Sequence, residues 1–365
     1  MKVAFDHQAF TMQRYGGISR YFSKLAIEFH TMDQQIKIFA GLYQNHYLSK
    51  LPSEIVKGRH LEQYPKKTGT IFNYFNHFLT QEQIQNYRPD VLHETYYAFA
   101  KPKKIDVPRV VTAHDMIHEI FPKSFPKNNP LTRHKKAAFQ RADHIISISQ
   151  STKEDMIRLF GIAEEKISVV HHGTDFQELT NIAKHKSDGK PFILFVGARD
   201  AYKNFNAVLR AVASSPSLKK NFDILAFGGG GFSEEEMRII PQLGLASAQV
   251  KQIGGDDKVL AGLYQAASVF VYPSLYEGFG LPPLEAMSYG CPVISSNTSS
   301  MPEVIGEAGE FFNPQSVDEL SAALERVLFS EERKALLIKK GKKRIMNFSW
   351  NKCAKETLAI YNQLV

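Results

Sequence analysis

The sequence predicts two α/β domains in tandem, each an open parallel sheet covered by helices, facing each other across a cleft. Three observations carry that prediction. Strand-like apolar runs alternate with helical patterns along nearly the whole chain, which is the mark of parallel α/β architecture. A polar, aperiodic stretch divides the alternation in two, and 365 residues suffice for two hydrophobic cores. Both halves therefore read as Rossmann-like, and ligand is expected where open parallel sheets bind it, at the carboxyl ends of the strands.

In the first half, residues 1–180, strands are predicted at Val3 to Phe5, Ile36 to Leu42, Val91 to His93, Val110 to Ala113, His144 to Ile148 and Ser168 to Val170. A helix from Gly17 to Phe29 places Ile18, Tyr21, Phe22, Leu25 and Phe29 on one apolar face. Ser151 and Glu154 have the spacing of a capping box. Residues 181–191 read as the linker. The second half, residues 192–346, has strands at Phe192 to Gly197, Phe222 to Phe227, Gln249 to Ile253, Val269 to Tyr272 and Pro292 to Ser295, then helices at Leu320 to Leu328 and Glu331 to Arg344. Residues 347–365 read as a terminal helix with Ser349 as its cap and Trp350, Cys353, Leu358, Ile360 and Tyr361 available for burial.

Composition narrows the class. A hydrophobic fraction of 43% with 22% charged residues is ordinary for a globular protein, and no apolar run approaches membrane-spanning length. The N-terminus becomes charged before a signal-peptide core could form, so a cytoplasmic location is expected. Cys291 and Cys353 lack metal-ligand spacing and read as buried thiols. The formal charge of +8 attracts polyanions. No helix-turn-helix, zinc or aromatic RNA-binding signature accompanies it, so nucleic acid is not the expected partner. Diphosphate ligands and an anionic membrane surface fit better, and charge as simple solubility stays open.

The most informative stretch runs from Tyr272 to Ala286, Tyr-Pro-Ser-Leu-Tyr-Glu-Gly-Phe-Gly-Leu-Pro-Pro-Leu-Glu-Ala. It follows a strand, passes a glycine loop and enters a helix at a proline. Glu277 falls in the loop and Glu285 in what reads as the first helical turn, and each carboxylate can chelate a pair of sugar hydroxyls. Gly278 and Gly280 let backbone approach a ligand, and a helix N-terminus offers amides to an anion. A glutamate in a first turn also complements the helix dipole, so Glu285 alone would carry little. Arg199 and Lys203 follow the first strand of the second domain, where a guanidinium fork and a lysine can meet a diphosphate or merely form a surface pair. Gly16 and Gly17 join the first strand to the first helix, where free amides can face an anion or simply turn the chain. His114 sits just past a strand, on the edge where ligands bind, a place structural histidines also take. Gly228 to Gly231 leave room for a base or phosphate, or make a flexible turn.

The string Glu, seven residues, Glu, around Gly-Phe-Gly-Leu-Pro-Pro-Leu-Glu-Ala-Met, resembles the signature of the family 4 glycosyltransferases, retaining enzymes of the GT-B fold. The resemblance covers nearly the whole chain. It implies that Glu285 holds the ribose of a sugar nucleotide and Glu277 the donor hexose, with Gly278, Phe279, Gly280 and Leu281 beneath the sugar. It assigns Arg199 and Lys203 to the departing diphosphate, although their spacing is shorter here than in the commonest family version. It brings the Gly16–Gly17 loop to donor and acceptor, His114 to the donor sugar, and the Val-Val-His-His-Gly-Thr-Asp segment ending at Asp175 to a hinge or cleft wall. The implied reaction moves a hexose from a nucleotide-diphosphate sugar, GDP-mannose being preferred slightly over a UDP-sugar, to a bacterial surface-glycan or lipid-linked acceptor. No Asp-x-Asp metal motif is present, so metal-independent transfer without a resident cofactor is expected. Alternatives are an epimerase or hydrolase of the same fold, or a scaffold that kept the nucleotide site. A nicotinamide dehydrogenase is disfavoured by the missing G-x-G-x-x-G. Two segments of the first half, the basic run from Phe121 to Arg141 and the aromatic Ile71 to Leu79, could rest on anionic lipid or, as readily, face the core.

Overall fold

The structure is a computed structural model that describes residues 1–97, 105–174, 190–199 and 201–365. Asp175, Asp200 and most of the 181–191 linker lie outside the described residues. The chain divides into two compact units, Met1–Gly173 with Ser349–Val365, and Thr174–Phe348.

The first unit is built on a seven-stranded parallel sheet: β1 (Lys2–Phe5), β2 (Gln35–Tyr43), β3 (Val56–His60), β4 (Val91–Glu94), β5 (Arg109–Ala113), β6 (His144–Ser147) and β7 (Ile167–Val169). Their spatial order is β3-β2-β1-β4-β5-β6-β7. The second unit carries β8 (Phe192–Val196), β9 (Asp223–Phe227), β10 (Val250–Ile253), β11 (Val269–Tyr272), β12 (Val293–Ser296) and β13 (Gly309–Phe312), ordered β10-β9-β8-β11-β12-β13. Each order is the doubly wound one, reversing between β1 and β4 and between β8 and β11. Central strands such as Phe-Ile-Leu-Phe-Val of β8 are apolar throughout because helices cover both faces.

Two strands were not expected from the sequence. β3 is an edge strand, Val-Lys-Gly-Arg-His, largely solvent-exposed, and β13 is the short Gly-Glu-Phe-Phe. The capping box expected at Ser151 is also displaced. Ser149, with extended backbone, accepts from the Thr152 amide at 3.1 Å, so the helix begins at Gln150 and Ser151 already lies inside it. A true reciprocal box forms instead at Ser233 and Glu236.

The helix Trp350–Leu364 packs in the first unit against the helix Gly17–Thr31. Ser349 caps it through the Lys352 amide, and Trp350, Cys353, Ala354, Ile360 and Tyr361 enter the core. Tyr361 Oη lies 2.5 Å from His93 Nδ1, tying the helix to β4. A Cβ on Gly173 would stand 2.2 Å from the Trp350 nitrogen, so only glycine permits that close approach.

The basic 121–141 segment needs one correction. Lys135 is not at the surface but 1% exposed, donating to Glu119 Oε2 at 2.8 Å and to the Asp115 carbonyl, because a buried ammonium must be paired. Lys123, Lys127, Arg133 and Lys136 remain exposed. On the helix Gly69–Tyr87, by contrast, Ile71 (67% exposed), Tyr74, Phe75 and Phe78 (62%) form an outward stripe at helical spacing.

Burial holds four first-unit histidines neutral: His7 and His93 are lowered to about 3, His114 to about 4, and His172 well below the usual value. The unfolded chain takes up these protons near pH 6.5, whereas the folded unit refuses them until the pH is far lower. The stability they protect is whole above pH 6.5 and falls towards pH 4, by about 1.4 kcal/mol per pH unit and histidine at most. His185, outside the described residues, is the sole histidine between residues 174 and 348. Hydrogen exchange at pH 7.5 and pH 5 should show the first unit losing protection ahead of the second. Equal loss in both units would contradict this account.

Candidate functional site

Crossovers leave β8 and β11 in opposite directions, so the loops that follow these neighbouring strands part and open a crevice. The loop after β8 carries Arg199 and Lys203, and the loop after β11 carries Pro273 to Gly280. The loops are stitched together. The Leu275 amide donates to the Tyr202 carbonyl at 2.7 Å, and Asn204 Nδ2 donates to the carbonyls of Pro273 and Pro314.

At their junction Lys203 Nζ meets Glu277 Oε1 at 2.6 Å, and Ser274 Oγ donates to the same oxygen at 2.6 Å. Glu277 is only 7% exposed, so this pairing compensates its desolvation. Its backbone is fixed as well, the amide donating to Ser299 Oγ at 3.1 Å and the carbonyl accepting from Ser300 Oγ at 2.8 Å. Ser300 Oγ also reaches the Phe279 carbonyl at 2.7 Å. The Tyr272 hydroxyl is pushed far up by burial and by the Glu277 charge.

Gly280, at φ 119°, opens the helix Leu281–Ser288 with no side-chain cap. Glu285 is the fifth residue of that helix, just past the first turn in which it was expected, because the helix starts at Leu281 ahead of both prolines. The helix-dipole explanation for Glu285 weakens accordingly, since the effect fades within the first turn. Gly278, Phe279 and Gly280 are buried, while Leu281 and Glu285 are half-buried.

Arg199 is placed differently from a free diphosphate clamp. Its Nε donates to Glu236 Oε1 at 2.6 Å, Nη1 to the Gly228 carbonyl at 2.9 Å, and Nη2 to the carbonyls of Gly230 and Gly231 at 2.9 and 2.7 Å. The guanidinium also stacks near Phe232, 5.0 Å from its ring centre.

Gly16, Gly17 and His114 belong to the first unit. Gly16 precedes the helix Gly17–Thr31, and Gln13 Oε1 accepts from the Ser19 amide at 3.3 Å in its first turn. His114 is buried among Tyr21, Phe22 and His172, and its Nε2 has no hydrogen-bond partner among the described residues. A neutral imidazole there keeps one ring nitrogen as donor and the other as acceptor. Ser274, Ser299, Ser300, Asn204 and Glu236 were not singled out in sequence. The run Ser-Ser-Asn-Thr-Ser-Ser from Ser295 to Ser300, which ends β12 and forms the loop after it, offered a signal, a strand end dense in small hydroxyls. Among the described residues, no cluster of three or more His, Cys, Asp or Glu groups could hold a metal ion.

The sequence and the fold have known counterparts. The family model described as "Glycosyltransferase Family 4" matches residues 15–178, and "Glycosyl transferases group 1" matches residues 177–344. The O-antigen chain mannosyltransferase B of Escherichia coli is 30% identical over 267 residues, 70% of this chain and 70% of that protein. The serotype-specific mannosyltransferase WbdA of Escherichia coli is 32% identical over 298 residues, 73% of this chain but only 36% of that longer protein. In fold the chain matches a sucrose-phosphate synthase from Thermosynechococcus elongatus, with TM-score 0.79 at 21% identity over 99% of this chain and 98% of that one. The two doubly wound sheets, the loops after β8 and β11, and these similarities agree: the chain belongs to the family 4 glycosyltransferases, with the GT-B fold.

Proposed function

We propose that the protein transfers mannose from GDP-mannose, with retention at the anomeric carbon, to a hydroxyl of a growing surface-glycan or lipid-linked acceptor. The observation that carries this reading is the Lys203–Glu277–Ser274 cluster beside the uncapped start of the helix Leu281–Ser288. A cation and a fixed carboxylate beside a glycine-rich loop are what a sugar diphosphate needs. The two relatives named as mannosyltransferases support the choice of sugar. GDP follows as the nucleotide by family resemblance, with a UDP-sugar next in order.

In this proposal Lys203 meets the diphosphate, Glu277 orders the hexose hydroxyls, Glu285 holds the ribose, and the backbone from Gly278 to Leu281 lies beneath the sugar. Gly16, Gly17 and His114 serve donor and acceptor from the first unit. The bond from the anomeric carbon to the phosphate oxygen breaks as the acceptor oxygen joins the same face. The acceptor's proton passes to the departing phosphate, so no enzyme nucleophile, metal or further cofactor is required. The first unit meets an anionic bilayer through the stripe of Ile71, Tyr74, Phe75 and Phe78, aided by exposed Lys and Arg side chains.

Labelled sugar should reach an added glycan acceptor, and the reaction should survive EDTA. Release of free sugar, or of an epimeric nucleotide sugar, with no acceptor dependence would replace transfer by hydrolysis or epimerisation. In calorimetry, Glu285→Ala should weaken GDP binding by about 1.5–3 kcal/mol, whereas Glu277→Ala should depress turnover more than affinity. Wild-type behaviour in both variants would remove the donor-site assignment. Phe75→Ser with Phe78→Ser should release the protein from phosphatidylglycerol vesicles, and binding should fall as salt rises. Unchanged sedimentation with the vesicles would refute the contact.

A further inference from the structure

The glycine loop Gly228–Gly231 follows β9, next to β8 in the sheet and on its carboxyl edge. Gly228, Gly229 and Gly230 have φ of 85°, 70° and 71°, three successive left-handed residues that side chains rarely tolerate. Such a run is not stable by itself. Here the guanidinium of Arg199 claims the carbonyls of Gly228, Gly230 and Gly231, and Glu236 holds the guanidinium from the other side. Glu236 is held in turn, its Oε2 accepting from the Ser233 amide at 2.7 Å within the capping box. The Arg199 side chain is only 5% exposed. A Cβ on Gly229 would lie 2.9 Å from Arg199 Nη1, so loop and guanidinium fit closely. With the carbonyls occupied, the amides of Gly229, Gly230 and Gly231 have no partner among the described residues, and all three residues are exposed.

We infer that Arg199 is a positioning residue, braced by Glu236, that turns the loop's carbonyls onto itself and so leaves its amides to receive the nucleoside part of the donor. This deepens the reading above and rests on the strand ends of the second unit holding the donor. It differs from a direct diphosphate contact, for which four of the five guanidinium N–H donors are already spent. A fork is required: one lysine ammonium cannot span Glu236 and three carbonyls in fixed directions.

The test uses the full-length protein and binding alone. Affinities for GMP and GDP, and for UMP and UDP in parallel, are measured for wild type, Arg199→Lys and Glu236→Gln, and the pair that binds wild type is read. Both variants should lose monophosphate and diphosphate affinity by the same factor, roughly tenfold, leaving the ratio between the two nucleotides unchanged. Arg199→Lys losing only the diphosphate, or binding like wild type, would overturn the brace. So would Glu236→Gln binding like wild type, which also covers the case in which the arginine variant fails to fold. A purely structural arginine would lower the melting temperature of the nucleotide-free variants and spare both affinities, which overturns the inference too. If wild type binds none of the four nucleotides, the donor-site reading itself falls, an outcome distinct from failure of the brace.

Discussion

A carboxylate that is 7% exposed needs cations and donors in place of the water it has lost, and the candidate site is organised around that demand. Glu277 draws Lys203 from the loop after β8, Ser274 from its own loop, and Ser299 and Ser300 from the loop after β12. Three strand-end loops are thereby fixed to one another by a single side chain and its backbone. Removing one partner of such a buried pair typically costs about 3–5 kcal/mol. The same rigidity that stabilises the unit would give a ligand hydroxyl a fixed acceptor in the proposed donor site.

The doubly wound order explains why the cluster stands where it does. β8 and β11 are the strands between which the winding reverses, so their loops diverge while their ends stay adjacent. Chemistry-bearing residues separated by 74 positions, Lys203 and Glu277, meet at 2.6 Å without either leaving its local loop. Arg199 shows the complementary use of a charged group. It is spent on backbone carbonyls, and its contribution to a ligand passes through the glycine loop that it shapes.

What could be read in the sequence was what is encoded locally. The alternation of apolar runs gave the parallel architecture, and the Tyr272–Ala286 string gave a glycine loop entering a helix, because both are contiguous. The partners of those residues were not legible. Glu236 lies 37 residues from Arg199 and Ser299 lies 22 from Glu277, and no local pattern marks such pairs. The edge strand β3 escaped because exposure on both faces erases alternation. Periodicity also cannot distinguish an inward stripe from an outward one, so Ile71, Tyr74, Phe75 and Phe78 read equally as core or surface until burial resolved them. Lys135 shows the reverse, a charge in a basic run that turns inward to two acids.

The central claim is that a nucleotide sugar is held at the strand ends of the second unit. Hydrogen–deuterium exchange of the full chain, with and without saturating GDP or UDP, tests it most directly. The account predicts slowed exchange concentrated in residues 228–231 and 274–285, with the sheet cores unchanged. Protection confined to the first unit, or no protection at any nucleotide concentration, would contradict it.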